Sequence, residues 1–355
     1  MAKRLIVCSD GTWGTLEGPG GSIFAQSNVA KIALAIRPRG QDDTPQIVFY
    51  DPGVGTGNLL DKFSGGIFGV GLSENVKDAY RFLMHNYEGG DEVYFFGFSR
   101  GAYTVRSVAG LIRKCGLLHK QHARLLDCAY DLYRKRDGPK PDTPEAIGFR
   151  GLYSRDIEHI KFVGVWDTVG ALGIPIDLPF RVFSKGLYEF HDVTPTRRIE
   201  YAYQALAIDE KRGPFEPTLW EQSPEAEAVG QVLEQAWFAG EHMDVGGGWQ
   251  AAGLSDFALR WMVEKASATG LAFEDEAVSA MCPDEFATEH DSFIPPFSFL
   301  PPYVRPIGKG YQANEAVHPA VLERYRRNPC YRPANLVSYL LRHPASGGRR
   351  RRGTR

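Results

Sequence analysis

Through the first 116 residues the apolar positions come in short unbroken runs, each stopped by an acid, glycine or proline. Residues 5–8 in RLIVCSD and 47–50 in QIVFYDPG are rich in β-branched and aromatic residues and stop at Asp10 and Asp51, the pattern of strands buried on both faces of a parallel sheet. Between them, Asn28 is placed to cap a helix that aligns Val29, Ile32, Ala33 and Ile36 and ends by Pro38. After the glycine-rich stretch GVGTGNLLDKFSGGIFGVG, Ser73 is placed to cap a second helix with Val76, Tyr80, Leu83, Met84 and Tyr87 on one face. DEVYFFGF predicts a third strand. A further helix runs from Ala102, with Val105, Val108, Ala109 and Ile112 on one side and Gly116 as its stop.

Strand and helix in strict alternation imply right-handed crossovers and an α/β fold: a mostly parallel, doubly wound sheet covered on both faces. Two insertions interrupt it, at about 117–158 and 173–230, and are expected to form a cap; the aromatic residues of the second, among them Phe180, Phe183 and Tyr188, suit a greasy substrate. HIKFVGVWDTVG and EQAWFAGEHMDVGGG predict two more strands, the latter followed by a helix that Ser255 caps and Gly270 ends. DSFIPPFSFLPPYVRP holds too many prolines for a central strand and reads as a loop over the sheet. Residues 1–345 are thus expected to form one α/β domain, with a basic tail over 346–355 that ends in GGRRRRGTR and reads as a disordered end.

Composition narrows the function classes. A chain of 355 residues, 43% hydrophobic and with formal net charge −2, can bury a large core and has no global attraction to nucleic acid. Its five cysteines are widely spaced and form no C-x-x-C pair, so no zinc or redox site is expected. No secretory leader or spanning helix is legible, which predicts synthesis as a soluble cytoplasmic protein and leaves peripheral membrane contact and signal-independent export open.

Open parallel sheets place ligands at the carboxyl ends of their strands, and here those positions carry Asp10, Asp51, Ser99, Asp167 and His242. Gly97-Phe98-Ser99-Arg100-Gly101 fits G-x-S-x-G. The motif is weak alone, but here it follows a strand and opens a helix, the context a nucleophile elbow requires. Such a serine needs a base and the base an orienting acid, arriving in chain order serine, acid, histidine. Asp167 and His242 end the next two strand patterns in that order, with Asp244 and Asp10 as rival acids and His318 as the rival base. The expected oxyanion donors are the backbone N–H of Arg100 and that of Gly11 or Thr12 in SDGTWG; Asp10, Asp51 and Asp244 are expected to support the site. No cofactor or metal is expected.

CSDGTW, YDPGVGTG, GFSRGAYTVRSVAG, GVWDTVGALG and WFAGEHMDVGGG, in this order, resemble the α/β-hydrolase family of type VI secretion phospholipase effector-like catalytic domains. The resemblance runs from about residue 3 to 335. It implies a triad on Ser99, Asp167 and His242 and an ester or phospholipid substrate. The usual proline-glycine-x-histidine-serine-aspartate run differs here, with Ala239 for the proline and Met243 for the serine. Two other chemistries are open: a metal-dependent phosphoesterase using Asp10, Asp51, Asp167, His242 and Asp244, and a non-catalytic binding module on the same fold.

Overall fold

The computed structural model describes residues 2–11, 24–53, 65–135, 138–157, 159–169, 195–196, 198–295, 297–308 and 314–343. Thr12, residues 170–194 (with Phe180, Phe183 and Tyr188) and the basic tail lie outside them; of the rest of the second insertion, expected as a cap over 173–230, Ile199–Ala207 is instead a central strand of the sheet, paired on both sides.

Seven strands form one sheet: β1 (Arg4–Ser9), β2 (Gln46–Asp51), β3 (Glu92–Phe98), β4 (Ile160–Trp166), β5 (Ile199–Ala207), β6 (Val232–Phe238) and β7 (Glu315–Val317). They lie in the order β7-β6-β5-β4-β3-β1-β2, and every neighbouring pair is parallel. From β1 the chain steps out to β2, then returns past β1 to β3. The order therefore reverses between β1 and β3, where a doubly wound sheet opens its ligand crevice.

Period-two alternation divides the strand residues between two cores. Leu5, Val7, Val93, Phe95, Val163 and Val165 pack beneath α2 (Gly65–Asn86) and α3 (Arg100–Cys115). Ile6, Cys8, Tyr94, Phe96, Phe162 and Trp166 pack on the other face, against α1 (Asn28–Ala35) and the helix Ser255–Ser267. Phe96 lies 5.3 Å from Phe162 and 6.4 Å from Trp166, ring centre to ring centre, so aromatic contacts clamp β3 to β4. Phe98 is in register with Trp166, and Ser99 and Asp167 accordingly leave adjacent strands at one level.

Several expected caps move by local hydrogen bonding. Ser27, not Asn28, caps α1, accepting from Ala30 N–H at 3.0 Å. Asn28 is the first helical residue, and its buried amide donates to the carbonyls of Val245 (2.9 Å) and Ser255 (3.1 Å). Ser73 sits inside α2, which begins at Gly65, and Ser255 opens its helix after the N-cap Leu254. Gly116 ends α3 at φ +71°, its N–H on Ile112 O.

The region 117–158, expected in a cap, lies against α2 and α3. Leu126, Ala129 and Tyr130 are buried in the same core as those helices, with Cys115 Sγ on Ala129 O (3.3 Å) and Tyr130 Oη on Ser73 Oγ (3.1 Å). The described residues of 290–308 are irregular apart from a single turn, Phe297–Phe299, as the prolines predict. Among the described residues no helix is long and apolar enough to cross a membrane.

Candidate active site

Ser99 stands between β3 and α3 at φ +56°, ψ −115°, a conformation that costs an L-residue on the order of 1–3 kcal/mol. Close packing holds it there. A Cβ on Gly97 would lie 2.6 Å from Gly101 O, and one on Gly101 would lie 1.9 Å from Ser9 O, so both glycines of the motif are required by backbone approach. Ser99 N–H donates to Trp166 O at 3.0 Å, tying the elbow to β4.

Asp167 follows Trp166, also at positive φ (+39°), and is fully buried. Its Oδ2 lies 2.5 Å from His242 Nδ1, and Oδ1 accepts from Ala207 N–H at 3.0 Å. A third partner comes from the proline-rich segment: Arg305 donates through Nη1 to Oδ1 (2.6 Å) and through Nη2 to Oδ2 (3.0 Å). Arg305 is itself fully buried, and its two terminal nitrogens also reach the carbonyls of Ala207 and Phe215. Burial alone would raise the Asp167 carboxyl. The Arg305 guanidinium and His242 outweigh it and hold the group far below the ordinary carboxylate range.

His242 opens the short helix His242–Gly246, capped by Glu241, whose carboxylate accepts from the N–H groups of Met243 and Asp244. The imidazole stacks on Phe98 (4.6 Å between centres, 34° between planes), and the edge of Phe215 closes its other side at 5.0 Å. Room for Phe98 comes from Gly246, where a Cβ would lie 1.9 Å from the Phe98 ring. The base thus sits beside the residue that carries Ser99. Burial lowers the His242 pKa, against the opposing pull of Asp167, so the ring is neutral at pH 7, with Nδ1–H on Asp167 and Nε2 left as acceptor. Among the described residues Ser99 Oγ makes no hydrogen bond to His242; the serine–histidine contact is open in this geometry, as it often is before substrate arrives.

The supporting acids separate into distinct environments. Asp10 accepts from Gly11 N–H (2.7 Å), Ser27 Oγ (2.5 Å) and Tyr50 Oη (2.8 Å), and burial raises it to about 6. Asp51 accepts from Ser9 Oγ, Gly53 N–H and Asn75 Nδ2, all at 2.8–3.0 Å. Asp244 turns away from His242 to His290, with Oδ1 2.6 Å from Nδ1, and His290 stacks on Trp249. His318 is 3.3 Å from Ala320 N–H as the N-cap of a helix and stacks on Phe238; that capping role accounts for it. The acids named for a metal site do not converge, and among the described residues no three His, Cys, Asp or Glu side chains are placed to hold a metal.

The loop after β1 lies against the elbow, since a Cβ on Gly11 would come 3.4 Å from Ser99 Cβ. Gly11 N–H is engaged by Asp10, and Arg100 is the first residue of α3, directly after Ser99. The residue that pattern reading missed is Arg305; nothing near it in the sequence pairs it with an acid 138 positions earlier.

A model of the family described as type VI secretion system (T6SS), phospholipase effector Tle1-like, catalytic domain, matches residues 3–265. An uncharacterized protein of Saccharomyces cerevisiae is 30% identical over 247 residues, 62% of this chain and 33% of that protein; the chain spans about a third of the length of this curated relative. The crystal structure of an uncharacterized protein from Pseudomonas aeruginosa is similar with a TM-score of 0.44 at 17% identity, covering 80% of this chain and 49% of that one.

Proposed function

From the premise that the chain belongs to the T6SS phospholipase effector Tle1-like catalytic-domain family, we propose that it is a serine ester hydrolase that cleaves acyl esters of lipids, phospholipids foremost. One observation carries the reading: a buried Asp167–His242 pair stacked on the residue that precedes a strained serine at a strand-to-helix elbow. Ser99 Oγ attacks the acyl carbonyl as His242 Nε2 takes its proton, and the imidazolium then protonates the leaving alcohol. Asp167 fixes the ring and its tautomer. The Arg100 N–H, at the positive end of α3, stabilises the tetrahedral oxyanion, an effect worth roughly 3–4 kcal/mol per donor; the loop after β1 supplies the second donor, through Thr12 or a freed Gly11.

The segment after Asp291 supports a lipid substrate. Residues 292–304 carry no charge, and Ile294 (60% exposed), Phe299 (81%), Leu300 (44%) and Val304 (58%) present apolar surface. Phe297, in the same segment, lies 5.9 Å from Phe215, the ring that closes on His242. A lipid surface meeting this rim would deliver esters beside the base.

The test is hydrolysis of short p-nitrophenyl esters and of phosphatidylcholine vesicles by wild type and Ser99→Ala, with fluorophosphonate labelling mapped to its residue. Ser99→Ala is expected to lose about a thousandfold or more in kcat, and the label to fall on Ser99. Full activity in Ser99→Ala would sink the mechanism.

A further inference from the structure

We propose that Arg305 is a positioning residue that keeps Asp167 charged without help from His242, and so keeps His242 neutral and able to accept a proton at mildly acidic pH. This rests on the Ser99–His242–Asp167 reading, and Arg305 lies beyond the stretch that the family model matches.

The geometry makes the argument. A buried carboxylate that meets only an imidazole has two ways to be neutralised, by protonating itself or by drawing a proton onto the ring. Either outcome removes a working base. Here the fork of Arg305 meets both Asp167 oxygens, at 2.6 and 3.0 Å, with no solvent exposure on either side chain. The Asp–Arg pair is already neutral, so a proton added to His242 would be an uncompensated charge in a closed site. Arg305 is held in turn: its carbonyl accepts from Asn335 Nδ2 (3.1 Å), which also donates to Ile208 O (2.9 Å).

The other charged groups around His242 balance one another. Glu210 accepts from His242 N–H at 3.3 Å and is paired with Arg212, whose guanidinium lies 3.7 Å over Phe215 and 3.5 Å from Glu241. Burial raises Glu241 to about 7, and Asp244 is committed to His290. Among the described residues Arg305 is the cation in contact with Asp167, the neutral His242 ring being its other side-chain partner. Burial, with a smaller contribution from Arg212, lowers the His242 pKa against the pull of a carboxylate 2.5 Å away; the part of Arg305 rests on its contacts with Asp167.

The decisive measurement is the titration of His242 by NMR of histidine-labelled protein, in wild type, Arg305→Lys and Arg305→Gln, beside the pH dependence of fluorophosphonate labelling of Ser99. The wild-type midpoint is expected below the ordinary 6.5. Arg305→Lys keeps the charge and should stay within about half a unit, whereas Arg305→Gln should rise by about one unit or more, a tenfold gain in proton affinity, and move the acid limb of labelling equally. A slower reaction at every pH with an unmoved midpoint is the mark of a merely structural role and overturns the proposal. So does a wild-type midpoint at or above 6.5, which needs no variant to fold. The NMR midpoints do not depend on hydrolysis, so a failure of the ester-hydrolase reading would be seen separately, in Ser99→Ala.

Discussion

Asp167 has more partners than the orienting acid of a triad needs, and this changes what its removal does. Converting it to Asn leaves the His242 contact sterically intact and leaves Arg305, fully buried, without its carboxylate. Breaking a buried ion pair by deleting one partner typically costs about 3–5 kcal/mol, because the surviving charge stays desolvated. Asp167→Asn is therefore expected to lose both stability, by roughly that amount in urea titration, and activity, by about 10³–10⁴ in kcat through the wrong imidazole tautomer. A variant as stable as wild type would show that Arg305 finds other acceptors. The strain at Ser99 and Asp167, the two positive-φ residues at adjacent strand ends, belongs to the same scale: both backbones are fixed by neighbours before either side chain acts.

At the scale of elements, the residues 292–304 join the site to the surface, with Phe297 facing the Phe215 ring and Phe299 and Ile294 facing solvent. Phe299→Asp and Ile294→Asp are expected to weaken association with neutral phosphatidylcholine vesicles several-fold in a flotation assay, with little dependence on salt, and to leave hydrolysis of a soluble p-nitrophenyl ester unchanged. Equal vesicle association by the two variants and wild type would remove this face from the lipid reading. The elbow and the strands that carry Ser99, Asp167 and His242 were legible because a buried strand and a strand-to-helix turn leave local marks: an apolar run, an acid or serine at its end, glycines where backbones touch; Ile199–Ala207, which reads as part of an insertion and lends Ala207 to Asp167, was not. Asp167 and His242 followed from chain order. Arg305 was not legible, because its partner lies 138 residues away and proline-rich segments carry no periodicity that marks an inward-facing side chain. The same limit explains His318, whose sequence context resembles a base until its nitrogen is seen at a helix N-terminus. Ser27 and Asn28 differ in another way: the cap is set by the local bond from Ala30 N–H to Ser27 Oγ, while the bonds of Asn28 to Val245 and Ser255 occupy its amide.

Across the whole molecule the strand ends gather buried carboxyls whose protons are part of the fold. Burial raises Asp10 to about 6 and both Asp209 and Glu241 to about 7, from unfolded values of 3.8, 3.8 and 4.5. For each, the folded state holds its proton more tightly than the unfolded chain does, so stability is fully present below the unfolded pKa and falls as pH rises through the folded one. Asp167 has the opposite sign: its ion pair stabilises above its unfolded value and weakens only in strong acid. His242, also lowered, favours the unfolded chain below about pH 6.5, when that chain binds the proton the buried ring refuses. His318, lowered by burial to about 4, acts in the same sense as His242, while burial also raises Asp51, Asp244 and Glu289; in the window from about pH 5 to 8 the raised carboxyls outnumber the two imidazoles and prevail. The melting temperature is therefore expected to peak near pH 5 and to decline toward pH 8, with Asp10 alone contributing about 1.4 kcal/mol of that decline, the one pKa unit between pH 5 and its folded value of about 6. Glu241→Gln isolates one of these groups, because a glutamine oxygen can still accept from Met243 N–H, Asp244 N–H and Trp249 Nε1–H. That variant should melt close to wild type at pH 5 and above it at pH 8, flattening the decline. A wild-type melting temperature that rises steadily from pH 5 to 8 would mean that these carboxyls are ionised in the folded protein, with Arg212 meeting Glu241 and Arg324 near Asp209 as their countercharges.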